Sequence, residues 1–240
     1  MNYNTALYAF GAILLGIIGI IFHDFHLQWQ AVPETIPRIP YAYLSAAILA
    51  LAGCALLVRR YERIGALTLA VFYGLWVIAF HLPNAFAAWR IMGVWNPPAE
   101  ITFMSMGGLS LWAASAGPAS GALKLLARVL AGASAIVFGL VHMSYIKETA
   151  EFVPAWIPPS QVFWAWATGA GHLAAGLALV TGIQARLAAT ALTGMMGSFV
   201  LLVHIPRIIG SPDSRFEWTM LGFSASLTGA AWLIRKYSTR

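Results

Sequence analysis

The sequence predicts an all-α membrane protein with eight transmembrane helices arranged as two pseudo-symmetric four-helix bundles. Three observations predict it. Of the 240 residues, 60% are hydrophobic and only 9% are charged, against about 25% charged in a soluble globular average. The apolar residues fall into eight runs, each close to the roughly 20 residues that a helix needs to cross the hydrocarbon. The chain also repeats itself at an offset of 123 residues. A disordered, collagen-like or disulfide-stapled chain is excluded, because apolar residues dominate, no Gly-X-Y period is present and Cys54 is the single cysteine. The net charge of +6 therefore bears on membrane orientation and not on nucleic acid, for which no role is expected.

In order, the runs cover residues 5–23, 41–58, 64–83 and 101–116, then 129–145, 162–181, 187–205 and 218–234. The first follows a start without positive charge and lacks a small-residue cleavage pattern, so no removable leader is expected. The second follows Ile36-Pro37-Arg38-Ile39-Pro40, and the third follows the cations at 59–63. The fourth opens after Asn96-Pro97-Pro98, an N-cap followed by proline in the first turn. The fifth follows Lys124 and Arg128, the sixth a Trp- and Pro-rich loop, and the seventh Arg186. The eighth opens at Ser214-x-x-Glu217, a capping-box pattern.

Eight crossings put both chain ends on one side. That side carries nine of the 14 Lys and Arg: Arg59, Arg60, Arg63, Lys124, Arg128, Arg186, Arg235, Lys236 and Arg240. The other side carries five cations and seven of the eight acids, together with most of the tryptophans. The positive-inside rule then places the termini in the cytoplasm and the aromatic loops in the outer interfacial zone.

At the offset of 123, Gly53 pairs with Gly176, Arg63 with Arg186, Gly74 with Gly197, His81 with His204 and Pro83 with Pro206. Slightly different offsets bring His23 opposite His142 and Glu100-x-Thr102 opposite Glu217-x-Thr219. The expected organisation is a first four-helix unit at 1–117, a cytoplasmic link at 118–128 and a second unit at 129–240. Because each unit has an even number of crossings, the two share one orientation, unlike an inverted transporter repeat.

The second unit contains GLVHMSY, ending at Tyr145, then VPAWIPPSQVFWAWATGAGHLAAGLAL from Val153 to Leu179, Arg186 and the His204-Ile205-Pro206 triplet. These segments resemble the DoxX family of small four-helix bacterial membrane proteins, and the first unit resembles a more diverged copy. The resemblance implies a bacterial inner-membrane location and an association with respiratory or thiosulfate-to-quinone electron transfer and with redox-stress complexes. Many relatives carry an acid where this chain has His172; Leu49 takes that place in the first unit.

Four histidines, His23, His81, His142 and His204, sit near the outer ends of the first, third, fifth and seventh runs. In an up-down bundle the first and third helices are diagonal neighbours, so His23 is expected to face His81, and His142 to face His204. With Glu100 and Glu217 at the same depth, each unit offers two imidazoles and a carboxylate, a set suited to a transition metal. Paired imidazoles alone suit haem. His172 lies mid-span, where a polar side chain defaults to ligand, quinone or haem contact. A plainer reading stands beside these: a histidine at a helix C-terminus complements the helix dipole, and a glutamate at an N-terminus caps it. The small residues Gly53, Gly74, Gly169, Gly171 and Gly176 suit close helix packing. The function classes left are a redox or quinone-linked protein with a His-lined site, a cofactor-free scaffold docking a membrane or periplasmic redox partner, and a small-molecule carrier.

Overall fold

The computed structural model describes residues 4–114, 116–117 and 120–239; Arg240 and link residues Pro118 and Ala119 lie outside them. Among the described residues there are eight long helices and no strand. They are α1 (Ala6–Ile21), α2 (Arg38–Leu57), α3 (Glu62–Ala87), α4 (Asn96–Ala113), α5 (Ser120–Ser144), α7 (Gln161–Thr181), α8 (Ala185–Gly210) and α9 (Arg215–Tyr237). A short helix, α6 (Ile146–Phe152), and two 3-10 turns, Leu27–Gln30 and Met92–Trp95, lie in the loops.

Helix α5 starts nine residues before the expected start at Val129, so most of the expected link is helix. Ala, Leu, Lys and Arg at 122–128 are all strong helix formers, and they continue the helix past the apolar limit. The third and seventh helices likewise run beyond Pro83 and Pro206 instead of ending there. A proline has no N–H for the carbonyl four residues back and clashes with it. Both helices relieve this by widening into one π turn just before the proline, at Val77–His81 and Val200–His204. In each case the helix then resumes for six residues. Every boundary in these two helices is displaced by the same 123 residues.

Within each half, consecutive long helices pack side by side: α1 on α2, α2 on α3 and α3 on α4, then α5 on α7, α7 on α8 and α8 on α9. The halves do not close as two self-contained bundles. Instead α1 packs along α9, α4 along α5, and α4 and α9 along each other. The last helix of each half thus sits at the centre of the molecule. Close approach depends on small residues. A Cβ on Gly132 of α5 would lie 2.8 Å from the Gly176 carbonyl, and one on Gly176 of α7 would lie 2.7 Å from the Gly132 carbonyl.

Five helices, α2, α3, α5, α7 and α8, are long and apolar enough to cross a membrane. Their outer faces carry exposed Leu51, Ile78, Leu187, Leu201 and Ile209, which suits contact with lipid. The central pair, α4 and α9, is not among the five. Its buried Ser105, Ser110, Thr219, Ser224, Ser226 and Thr228 lower its hydropathy, and polar groups are tolerated there because protein surrounds them.

Candidate ligand cavity

A cavity of about 330 Å³ opens between the second half and α4, towards the end of the helices away from the chain termini. Helix α5 contributes Phe138 and His142, α7 contributes Thr168 and His172, and α8 contributes Met196, Phe199 and His204. Helix α9 adds Phe223 and Ser224, α4 adds Asn96 and Glu100, and Trp29 reaches in from the 3-10 turn of the first half. An aromatic lining with a few convergent polar groups is the usual make-up of a small-molecule site.

The π turn brings His204 inward: the side chain is only 6% exposed, and its Nδ1 is buried with no hydrogen-bond partner. His172, 3% exposed, has an unpartnered Nδ1 as well. The His172 ring lies edge-on to Phe138, with centroids 5.4 Å apart. It also meets the His142 ring at 5.1 Å and 55°. His142 turns Nδ1 to its own helix, 2.8 Å from the Phe138 carbonyl, which makes Nδ1 the protonated nitrogen and leaves Nε2 as an acceptor. Buried polar atoms that lack a partner are uncommon in native interiors and call for an explanation.

Of the expected diagonal pairs, His23 and His81 take separate partners, whereas His142 and His204 both line the cavity. His23 caps the end of α1 in left-handed backbone (φ 53°) and shares a hydrogen bond with the Tyr43 hydroxyl. His81 is buried, with Nε2 3.0 Å from the Trp29 carbonyl. His142 meets His172, a residue set apart from the quartet by its mid-span position. Two imidazoles in ring-to-ring contact leave no space for a haem between them. Among the described residues, no three His, Cys, Asp or Glu side chains converge as a metal-holding group.

The two glutamates also differ. Ser214 Oγ accepts a hydrogen bond from the Glu217 amide at 3.3 Å, which is half of the expected capping box. The Glu217 carboxylate turns instead to Arg207, which donates from Nη2 at 2.7 Å and Nε at 2.9 Å. Asn96 is the first residue of α4 and Trp95 its cap, without a side-chain cap bond. The Glu100 carboxylate accepts from the Trp29 indole N–H.

Trp29, one of the tryptophans expected on the outer side, and Phe223, not singled out in the sequence, form the wall between the halves. Their rings stack at 4.5 Å and 22°, and Trp29 is 1% exposed. The loop holding Trp29 is tied down by Asp24, which pairs with Arg38 at 2.7 Å and with Arg215 of α9 at 3.4 Å. Partial burial pushes the Asp24 carboxyl up, but hydrogen bonds from the Phe25 amide and Arg38 and the charge of Arg215 outweigh it and hold it below the usual range. In the sequence Trp29 stands out as one of the outer-side tryptophans, set between two glutamines in Gln28-Trp29-Gln30.

Residues 123–205 match the DoxX family model. The DoxX segment runs from α5 through the π turn of α8, and it supplies Phe138, His142, Thr168, His172, Phe199 and His204 to the cavity. Trp29, Asn96, Glu100 and Phe223 come from outside it. With its apolar helices, the DoxX match identifies an integral membrane protein in contact with the lipid bilayer. No curated protein and no solved structure matches the chain.

Proposed function

We propose that this chain is a quinone-linked redox protein of the bacterial inner membrane, with eight crossings, two related four-helix units and cytoplasmic termini, and that the cavity beside α4 holds the quinone near the outer face. The observation that carries the reading is that the His172 and His204 rings, each with a buried and unpartnered Nδ1, line an aromatic cavity. A neutral imidazole donates one N–H, and a quinone carbonyl accepts one. Phe138, Phe199 and Phe223 provide flat apolar surfaces for the ring. A bound quinone supplies two-electron, two-proton carriage between partners. The chain's own groups orient it: His204 and His172 at its oxygens, His142 Nε2 as an acceptor beside them, and the Glu100 carboxyl held by Trp29 at the cavity wall. The cavity's lower-range volume among small-molecule sites accommodates a headgroup, with a lipid tail left outside.

The test is solvent extraction of the detergent-purified protein with mass spectrometry of the extract, alongside oxidised and reduced optical spectra and elemental analysis. The expected result is a quinone near one per chain in wild type and a strong loss in His204→Ala. A folded protein that retains no quinone and takes none up from added stock overturns the reading and leaves a cofactor-free scaffold.

A further inference from the structure

The first half carries the same framework as the second, yet among the described residues the space beside that framework is far smaller. At the offset of 123, Ser45 stands where Thr168 stands, Leu49 where His172 stands and His81 where His204 stands. The space beside the first-half set has shrunk to about 10 Å³, because the 3-10 turn Leu27–Gln30 fills it. The turn is held by those framework positions. His81 Nε2 donates to the Trp29 carbonyl at 3.0 Å, and the Gln30 amide donates to Ser45 Oγ at 2.7 Å. In the second half the corresponding loop is wound into α6, whose Glu148, Thr149 and Phe152 form part of the cavity rim. Among the described residues no hydrogen bond joins that loop to His204, whose ring lines the cavity and whose Nδ1 is buried without a partner.

We infer that the Trp29–Gln30 turn is a built-in stand-in for the ligand, so that the chain binds one molecule only, in the second half, and binds it through a carbonyl oxygen at His204 Nε2, the nitrogen whose counterpart in His81 holds the Trp29 carbonyl. The ligand class is a flat ring bearing a carbonyl acceptor. The exchange of Leu49 for His172 between the halves adds a second polar anchor where the stand-in meets only a hydrocarbon side chain. This inference rests on the reading of the cavity as a ligand site, and it adds the number of ligands, the anchoring atom and the reason that the first half takes none.

The experiment is equilibrium dialysis of the full chain in nanodiscs, with empty nanodiscs as reference. The probes are menadione, a flat bicyclic ring with two carbonyl oxygens, and 2-methylnaphthalene, the same ring system without them. Expected are one menadione per chain, about tenfold weaker binding of 2-methylnaphthalene, and a loss of about tenfold for menadione in His204→Ala, the size of one hydrogen bond. His204→Gln, which keeps an N–H donor, restores most of that loss, and His81→Ala leaves one site per chain. Uptake of two menadiones per chain, falling to one in His81→Ala, overturns the stand-in while leaving the cavity a ligand site. So does equal binding of the two probes. Absence of saturable binding by either probe overturns the ligand-site reading and the stand-in together. Probe comparison and stoichiometry are both read on wild type and do not depend on any variant folding.

Discussion

The indole N–H of Trp29 donates to the carboxylate of Glu100, 71 residues further along the chain. This contact joins the turn that fills the first half to the wall of the cavity in the second. Trp29 thereby serves two neighbouring places at once: its backbone carbonyl satisfies His81, and its ring edge satisfies Glu100.

Trp29→Phe keeps the stack on Phe223 and removes the indole donor to Glu100, which keeps its hydrogen bond with the Asn96 side chain. The loss of one intramolecular hydrogen bond costs about 1 kcal/mol, and thermal unfolding in detergent is expected to register a destabilisation of that size. Adding Glu100→Gln recovers part of it, because a neutral amide tolerates the loss better than a carboxylate. A double-mutant cycle without coupling between the two positions disproves the contact.

His172→Leu installs the residue that the first half carries at the corresponding place, Leu49. Stability and ligand binding are expected to move in opposite directions. The unsatisfied imidazole nitrogen disappears, so unfolding temperature holds or rises, while quinone retention falls. A drop in both marks His172 as structural.

Burial, and secondarily the charge of Arg215, pushes the imidazole of His26 down to about 4 from its ordinary 6.5. This side chain lies in the loop between α1 and α2, outside the helices. Between pH 6.5 and pH 4 the unfolded chain takes up a proton there that the folded chain refuses, so stability is complete above that window and is lost as pH falls through it. The loss reaches about 3 kcal/mol. In His26→Phe the pH dependence of thermal unfolding flattens over this interval; an unchanged slope assigns it to other groups.

Two glycine substitutions are expected to differ in sign. Gly176→Ala drives a methyl into the Gly132 carbonyl at 2.7 Å, where backbone offers little give, and overpacking of this kind costs about 1–3 kcal/mol. Nothing lies within 4 Å of a Cβ on Gly194, so Gly194→Ala gains roughly 0.5–1 kcal/mol from the entropy of the unfolded chain. Paired unfolding measurements in the same detergent read both.

The all-helical, membrane-embedded character and the approximate positions of the helices were legible in the amino-acid sequence because they follow from hydropathy along the chain, a one-dimensional property. The His81–Pro83 and His204–Pro206 triplets marked two matching irregularities, although not their form. A proline reads as a stop until the rest of the helix is seen to absorb it as a π turn. His172, His142 and His204 could be picked out as polar groups among apolar neighbours, but their partners could not. Helix rotation decides which imidazoles meet, and that rotation is set by the π turns and by close contacts such as Gly132 with Gly176. The central placement of α4 and α9 likewise depends on contacts between residues more than a hundred positions apart, such as the Ser110 and Ser238 hydroxyls at 2.8 Å. By itself, then, the sequence determined a membrane-embedded helical chain with repeated polar positions. Only the tertiary structure decided that one set is filled by Trp29 and Gln30 and the other left open, because filling a cavity is a matter of volume and hydrogen-bond geometry among residues distant in the chain.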